Sequence, residues 1–503
     1  MKKLLCLSLV IITIASMLGA CGGAPVGTDA VTTAPVSQAV TTDAPAPVTT
    51  EAPQETPTLS EDKYDGYEFR IITSGNLVSS KDANDFGGVE GDTELLELKK
   101  YIRKVTVEDQ YDIMFNVNNV IKFGSSTGSG TGFKALQQSY IANSYDYDFA
   151  MIGTYDVAQA ATNGFLANMA DLPYIDLERS WWDQNAVEQM SFGENVFFAT
   201  GDIGILDNMV THCVMFNKAL VAENKDINDP YEMVRNHTWT VDNFITEVQK
   251  FGSDLNGDDK MDQYDAYGLM VWNDAAYSML GAAEVRVATM VDGLLELTLY
   301  NDKCVAVYDK YVPIIASQYC LNYSNLQDRD VERVRMFNEN QVLYSYCSLY
   351  TIPRHRDSDT DFGILPFPKL DENQENYSVC VGVYSGMYAC VPVFIEDEER
   401  TGTIVEALAY QGQKILTPAY YEATLQGTYI RDEESGEMLD IMFANRFYDV
   451  GLIFKVGDLN ETVICEPIKT KANNFTSLYN RRKRAAESDV NKLNDLLTQK
   501  FGK

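Results

Sequence analysis

From residue 67 onward, short apolar runs of strand length alternate with stretches of helical spacing, and this alternation confines the chain to a few architectures. Residues 67–73 read as a first strand. Residues 93–105 follow with helical spacing through Leu95, Leu96, Leu98 and Ile102. A second strand over 112–117, a helix over 133–142 and a third strand over 148–153 complete the first series. The alternation resumes with a strand over 210–216 and a helix that Trp239 and Thr240 open and Lys250 closes, with Thr238 or Thr240 as its N-cap. Further strands are expected over 267–271, 342–346, 362–365 and 387–394, and a helix over 302–317. The last third reads as helix over 400–416, 433–444 and 477–497, the final one with Ala486, Val490, Leu493 and Leu497 on one face. Strand–helix alternation of this kind predicts an α/β fold, with a mostly parallel sheet covered by helices on both faces. Residues 61–503 are too many for one core, so two lobes are expected.

The first sixty residues belong to a different regime. Lys2 and Lys3 precede an apolar run from Leu4 to Met17, and Leu18-Gly19-Ala20-Cys21 follows. A charged start, a short apolar stretch and small residues before a cleavage point describe an export signal over 1–20. The apolar run falls short of the roughly 20 residues a membrane span needs. Leu-Gly-Ala-Cys resembles the bacterial lipobox, which makes Cys21 the expected lipidation site and new N-terminus. Residues 21–60 are rich in Thr, Ala, Pro and Val and carry no Lys or Arg. Such a tract buries too little apolar surface to offset chain entropy and is expected to stay disordered. As a flexible tether its ends would lie roughly 35 Å apart, and as polyproline II it would extend about 100 Å.

A formal charge of −33 argues against nucleic acid and against docking on anionic lipid, both of which need basic patches. The one basic run, Arg481 to Arg484, reads as a solvated helix face. Seven cysteines remain beyond the export segment: Cys213, Cys304, Cys320, Cys347, Cys380, Cys390 and Cys465. Their odd number and irregular spacing do not suit a disulfide framework. Three histidines without an HExxH pattern leave little for a zinc hydrolase.

One local motif stands out, Asp254-Leu-Asn256-Gly-Asp258-Asp-Lys260-Met-Asp262-Gln-Tyr-Asp265. Oxygen donors at Asp254, Asn256, Asp258, Asp262 and Asp265, with the backbone carbonyl of Lys260, match positions 1, 3, 5, 9, 12 and 7 of an EF-hand-like loop, so structural Ca2+ is expected here. Asp259 where such loops place Gly, and Asp265 where they place Glu, depart from the pattern.

The order of several segments resembles the extracellular solute-binding proteins of family 1, the carbohydrate-type receptors of ABC importers. The resemblance rests on Leu172-Pro-Tyr-Ile-Asp-Leu177 before Trp181-Trp182-Asp183, then Val214-Met-Phe-Asn-Lys218, Asp229-Pro-Tyr-Glu232 and Trp239-Thr240. It continues with the Asp254 loop, Tyr267-Gly-Leu269, Asp361-Phe-Gly-Ile-Leu-Pro366, Pro368-Lys369, Ala419-Tyr-Tyr421 and Arg431-Asp432. It implies a two-lobed periplasmic-binding-protein-like (type II) fold with hinge strands between the lobes. One lobe would span about 61–207 and 385–430, the other about 210–382 and 432–503. The chain would cross near Asp207 to His212, return near Val383 to Tyr388 and cross again near Arg431. The resemblance also implies a monomeric, lipid-anchored receptor on the outer face of the cell membrane. It would capture a small polar ligand, a mono- or oligosaccharide, and pass it to ABC permease subunits without chemical change. A surface sugar-binding sensor or adhesin, or a surface glycoside hydrolase, would use the same cleft differently.

Sugars are held by flat aromatic faces and a few placed carboxylates or amides, and strand C-terminal ends face the crevice in such sheets. On that reasoning Trp272, Tyr155, Asp156, Tyr346 and Tyr350 follow strands toward the ligand. Asp207, Asn208 and Tyr384 lie near the implied crossings. Trp181, Trp182 and Trp239 are expected in the core.

Overall fold

The computed structural model describes residues 55–75, 84–120, 130–355, 358–423 and 432–501. The export signal, Cys21, the tether as far as residue 54 and the crossing expected at Arg431 lie outside the described residues. Three strands open the fold: β1 (Tyr67–Ser74), β2 (Ile113–Asn119) and β3 (Phe149–Gly153). Next come β4 (His212–Asn217), β5 (Gly252–Ser253), β6 (Ala266–Val271), β7 (Ala288–Val291) and β8 (Leu294–Leu297). They are followed by β9 (Cys320–Asn322), β10 (Val342–Ser348) and β11 (Phe362–Leu365). Last are β12 (Val379–Cys380), β13 (Met387–Cys390) and β14 (Arg446–Phe447).

The first sheet has the order β13-β3-β1-β2. Its first three strands are parallel, and β13 runs antiparallel to β3. Sequence and position agree along it. β3, flanked on both edges, reads Phe-Ala-Met-Ile-Gly and is buried throughout. The edge strand β2 alternates buried and exposed residues and carries three asparagines, which suits an edge with one solvated face. Helix Leu95–Tyr111 runs one and a half turns past its expected end because Val107 and Tyr111 continue the buried stripe. It stops where Asp112 takes a left-handed φ of 51°. Helix Glu398–Ala423 packs along it. Arg103 is buried between the two and donates to the carbonyls of Asp85 (2.6 Å), Ile203 (2.7 Å) and Leu408 (3.4 Å).

The second sheet runs β11-β4-β10-β6, with β5 and β9 also on β6. This sheet is mixed: β6, β9, β10 and β11 run one way, β4 and β5 the other. β10 and β9 are parallel to β6, but β4 is antiparallel to both β10 and β11. The cause is connectivity. β4 enters directly from a ribbon joining the two sheets and runs the opposite way to the strands delivered by helical crossovers. In that ribbon Thr211 bridges Val381, and β12 pairs in parallel with β14. The Gly382 amide donates to the Val210 carbonyl at 2.9 Å. A side chain at Gly382 would put its Cβ 3.0 Å from both that carbonyl and His212 Nε2, a tight contact that favours glycine.

The chain thus builds a two-domain α/β architecture. β7 and β8 form a separate hairpin whose turn, Asp292-Gly293, has positive φ at both positions. Residues 55–60, expected in the tether, are held on the body. Glu55 accepts hydrogen bonds from the Ser180 amide and hydroxyl, and Leu59 packs on the core. Among the described residues no helix is long and apolar enough to cross a membrane.

Candidate functional site

Strand ends of both sheets and one irregular helical segment bring four polar groups into one electrostatic neighbourhood. Tyr155 sits in the first turn of helix Thr154–Asn163, directly after β3. Tyr384 lies between β12 and β13. Asp274 is the N-cap position of helix Ala275–Ala282, just after β6. Glu461 belongs to the single turn of π-helix Asn460–Ile464. Burial raises the Asp274 carboxyl above the ordinary carboxylate range, and the charge of Glu461 adds to the shift. Burial also raises the phenols of Tyr155 and Tyr384, and both feel the charges of Asp274 and Glu461. The exposed Arg329 pulls Asp274 and Tyr384 the other way.

Tyr155, Tyr384, Lys455, Asp458 and Glu461 line a narrow crevice of about 20 Å³, room for about one water molecule. Lys455 holds its ammonium 4.9 Å from the Tyr155 ring centroid. Aromatic faces, carboxylates and a cation at one opening can stack on C–H faces and hydrogen-bond hydroxyl edges. Trp272 ends β6 half-buried, its ring edge-on to His212 with centroids 5.3 Å apart. His212 is fully buried, and desolvation lowers it to about 3, so the ring is neutral. Its Nδ1 is paired with the Ser278 hydroxyl, and the Tyr277 hydroxyl lies 3.4 Å from its Nε2. The histidine therefore acts as a fixed prop beneath Trp272.

Other residues singled out from the sequence have different surroundings. The Asp156 carboxylate accepts from the amides of Gly130 (3.0 Å) and Phe133 (3.2 Å), and so caps helix Thr131–Ala142. Asp207 and Asn208 are buried against Arg446, at 2.7 Å and 2.6 Å. Arg446 also reaches Asp183 at 3.0 Å, and the Tyr448 hydroxyl donates to the same carboxylate. Burial lifts Asp207 to about 6 while Arg446 pulls it back. Tyr346 has no exposed surface. It stacks near Phe244 and Phe367 and pairs its hydroxyl with that of Tyr311 at 2.9 Å, which leaves nothing to offer a ligand. Tyr350 is half-buried in the turn Leu349–His355, 5.7 Å from the Arg354 guanidinium. Trp181 and Trp182 are buried and both donate their indole N–H to Glu406, at 2.9 Å and 3.0 Å.

The expected Ca2+ site is corrected. Among the described residues no group of three or more His, Cys, Asp or Glu is placed to hold a metal ion. The loop's oxygens are turned onto its own backbone instead. Asp254 accepts from the amides of Gly257 and Asp259, Asn256 from Asp258, and Asp258 from Lys260. Asp262 accepts from Tyr264, and Asp265 from Leu255 and Asp262. Asp259, standing where a calcium loop has glycine, takes a left-handed φ of 61°. The segment is a ladder of Asx turns that satisfies itself.

Glu461, Lys455 and Asp458 escape a reading by strand ends because they lie on a succession of short turns over 450–464. Asp274 is adjacent to Trp272 and follows the same strand-end rule, yet only its aromatic neighbour is picked out by looking for flat faces.

No protein-family model matches the chain, and no curated protein matches it in sequence. Solved structures do match. The chain resembles a cyclic α-maltosyl-1,6-maltose binding protein from Arthrobacter globiformis with a TM-score of 0.54 at 15% identity, over 86% of this chain and 100% of that one. A cyclo/maltodextrin-binding protein complexed with maltotetraose gives 0.53 at 12% identity, over 88% and 98%. An ABC substrate-binding protein from Listeria monocytogenes in complex with cycloalternan gives 0.52 at 13% identity, over 84% and 99%. The fold is that of the type II periplasmic binding proteins. Identities this low speak for architecture alone.

Proposed function

We propose that this protein is an extracellular solute-binding receptor that captures a mono- or oligosaccharide and hands it unchanged to an ABC importer, held at the membrane by acylation of Cys21. The observation that carries the reading is the convergence of Tyr155, Tyr384, Asp274 and Glu461 at the ends of two sheets joined by a three-segment ribbon. It is supported by the fold shared with proteins described as binding maltodextrins and cyclic oligosaccharides. In this reading the ribbon is the hinge. Its segments lie at 207–212, at 379–388 and at β14; helix Glu433–Ala444, which precedes β14, already packs on β11 of the second sheet. The lobes then lie about 61–207 with 385–430, and 210–382 with the C-terminal segment, and close by rotation about the ribbon. Trp272 contributes an aromatic face from the second lobe and Tyr155 one from the first. Lys455 and Arg329 balance the carboxylates, which favours a ligand of little net charge.

The test is a thermal-shift and calorimetric screen of the full chain against linear and cyclic α-glucans. A ligand at a hundred times its Kd adds about 2.7 kcal/mol to stability, a rise of about 3 °C for a unit of this size. D274N and Y384A are expected to weaken binding at least tenfold. Absence of any shift across the panel, or appearance of cleaved sugar on chromatography, would overturn the receptor reading. Cell fractionation of the C21A variant tests the anchor: the protein should leave the membrane fraction.

A further inference from the structure

Cys213 and Cys347 are direct partners across the antiparallel pair β4–β10, and their Sγ atoms lie 3.5 Å apart. We propose that this pair is a site of reversible disulfide formation, closed by exchange with an external disulfide and stapling the second sheet beside the ribbon.

The backbone already meets the requirement. Opposed residues in an antiparallel pair have Cα atoms about 4.5–5.5 Å apart, inside the roughly 4.4–6.8 Å that a disulfide accepts. Closing the bond brings the two sulfurs from 3.5 Å to about 2.0 Å. Among the described residues, the other strand cysteines face different neighbours: Cys320 opposes Leu269, Cys380 opposes Phe447 and Cys390 opposes Ala150. The two thiols are also unequal. Cys347 is 5% exposed and Cys213 is 0%. The Cys213 thiol, the Thr351 hydroxyl and the Arg333 guanidinium favour the thiolate at Cys347, and burial disfavours it at both cysteines.

The greater exposure of Cys347 sets the order of the exchange. The Cys347 thiolate attacks one sulfur of the external disulfide, forming a mixed disulfide and releasing one thiolate. Cys213 then loses its proton and attacks the Cys347 sulfur, which expels the second thiolate. The protein dithiol gives up two electrons and two protons, and the external disulfide becomes two thiols. The staple would sit next to His212, the prop beneath Trp272.

Folded full-length protein, incubated with oxidised glutathione and then alkylated, tests the proposal by peptide mass spectrometry. The expected product is a Cys213–Cys347 cross-linked peptide, with the intact mass lower by about 2 Da and a melting temperature about 3–5 °C higher, all reversed by dithiothreitol. C213S and C347S should each abolish the cross-link, and C304S should retain it. Wild-type protein that keeps both thiols alkylatable after oxidant treatment, or cross-links them only once unfolded, overturns the proposal. So does a cross-link that joins other cysteines.

Discussion

Replacing Arg446 with Met tests whether the buried ionic cluster at the ribbon holds the fold together. Arg446 pairs with Asp207 at 2.7 Å, Asp183 at 3.0 Å and Asn208 at 2.6 Å, and its side chain is 11% exposed. Removing one member of such a cluster leaves a buried carboxylate without its counter-charge, at a cost of about 3–5 kcal/mol. Over the folded unit Glu55–Lys503, an unfolding entropy of ~2.1 cal/mol/K per residue gives about 0.9 kcal/mol/K. The expected fall in Tm at pH 8 is therefore about 4 °C. The pH dependence is the sharper part. In the native protein Asp207 titrates at about 6, above its unfolded value, so its ionisation already removes stability as pH rises toward 6. Without Arg446 the folded value climbs further, and additional stability is lost as pH rises beyond 6. Below about pH 5 Asp207 is protonated in the variant and that loss disappears. What remains is the bond to Asn208, roughly 1 kcal/mol, because Asp183 keeps Tyr448 as its donor. Differential scanning calorimetry of both proteins between pH 5 and 8 reads this directly. A variant as stable as wild type at pH 8, or one with the same deficit at pH 5 and pH 8, would refute the reasoning.

Three further outcomes are expected. Glu406 is raised to about 7 by burial, with both indoles of Trp181 and Trp182 as donors, so stability should fall as pH rises from about 4.5 to 7. E406Q should flatten that part of the Tm profile and cost roughly 1–3 kcal/mol at acid pH, because the amide NH2 replaces an oxygen to which one indole donates. D156A should cost about 1–2 kcal/mol in urea unfolding through the lost cap of helix Thr131–Ala142, and leave ligand affinity unchanged in calorimetry. Neither added calcium nor a chelator should move the Tm, since the oxygens of the 254–265 loop already serve its own amides; a calcium-dependent rise would count against that account.

Much of the architecture was legible from residue order. The all-apolar β3 and the alternating β2 can be assigned because one is covered on both faces and the other on one. The β7–β8 hairpin carries a plain signal in Asp292-Gly293, yet its strands are four residues each and partly exposed, too short to stand out by periodicity. The direction of β4 was beyond reach, because it depends on where the ribbon delivers the chain rather than on any residue in the strand. The site divides along the same line. Tyr155 and Trp272 stand directly after β3 and β6, where the sequence puts them. Tyr346 obeys the same sequence pattern but turns inward, since β10 lies between β4 and β6 and both its faces are covered. Asp207 marks the ribbon rather than the cleft because Arg446, more than two hundred residues later, claims it. The calcium-like loop shows the limit of counting oxygens. Spacing alone does not distinguish donors aimed at an ion from donors aimed at neighbouring amides.

The placement of β13 has a consequence for how the molecule is made. The first sheet is built from the opening strands, but its fourth strand and the long helix covering its flank come from residues 387–423. A chain threaded through an export channel N-terminus first would emerge with β1, β2 and β3 unable to complete their core until most of the polypeptide had followed. Long-range pairing of this kind slows folding, so under the proposed export the first sheet would close only after most of the chain had crossed.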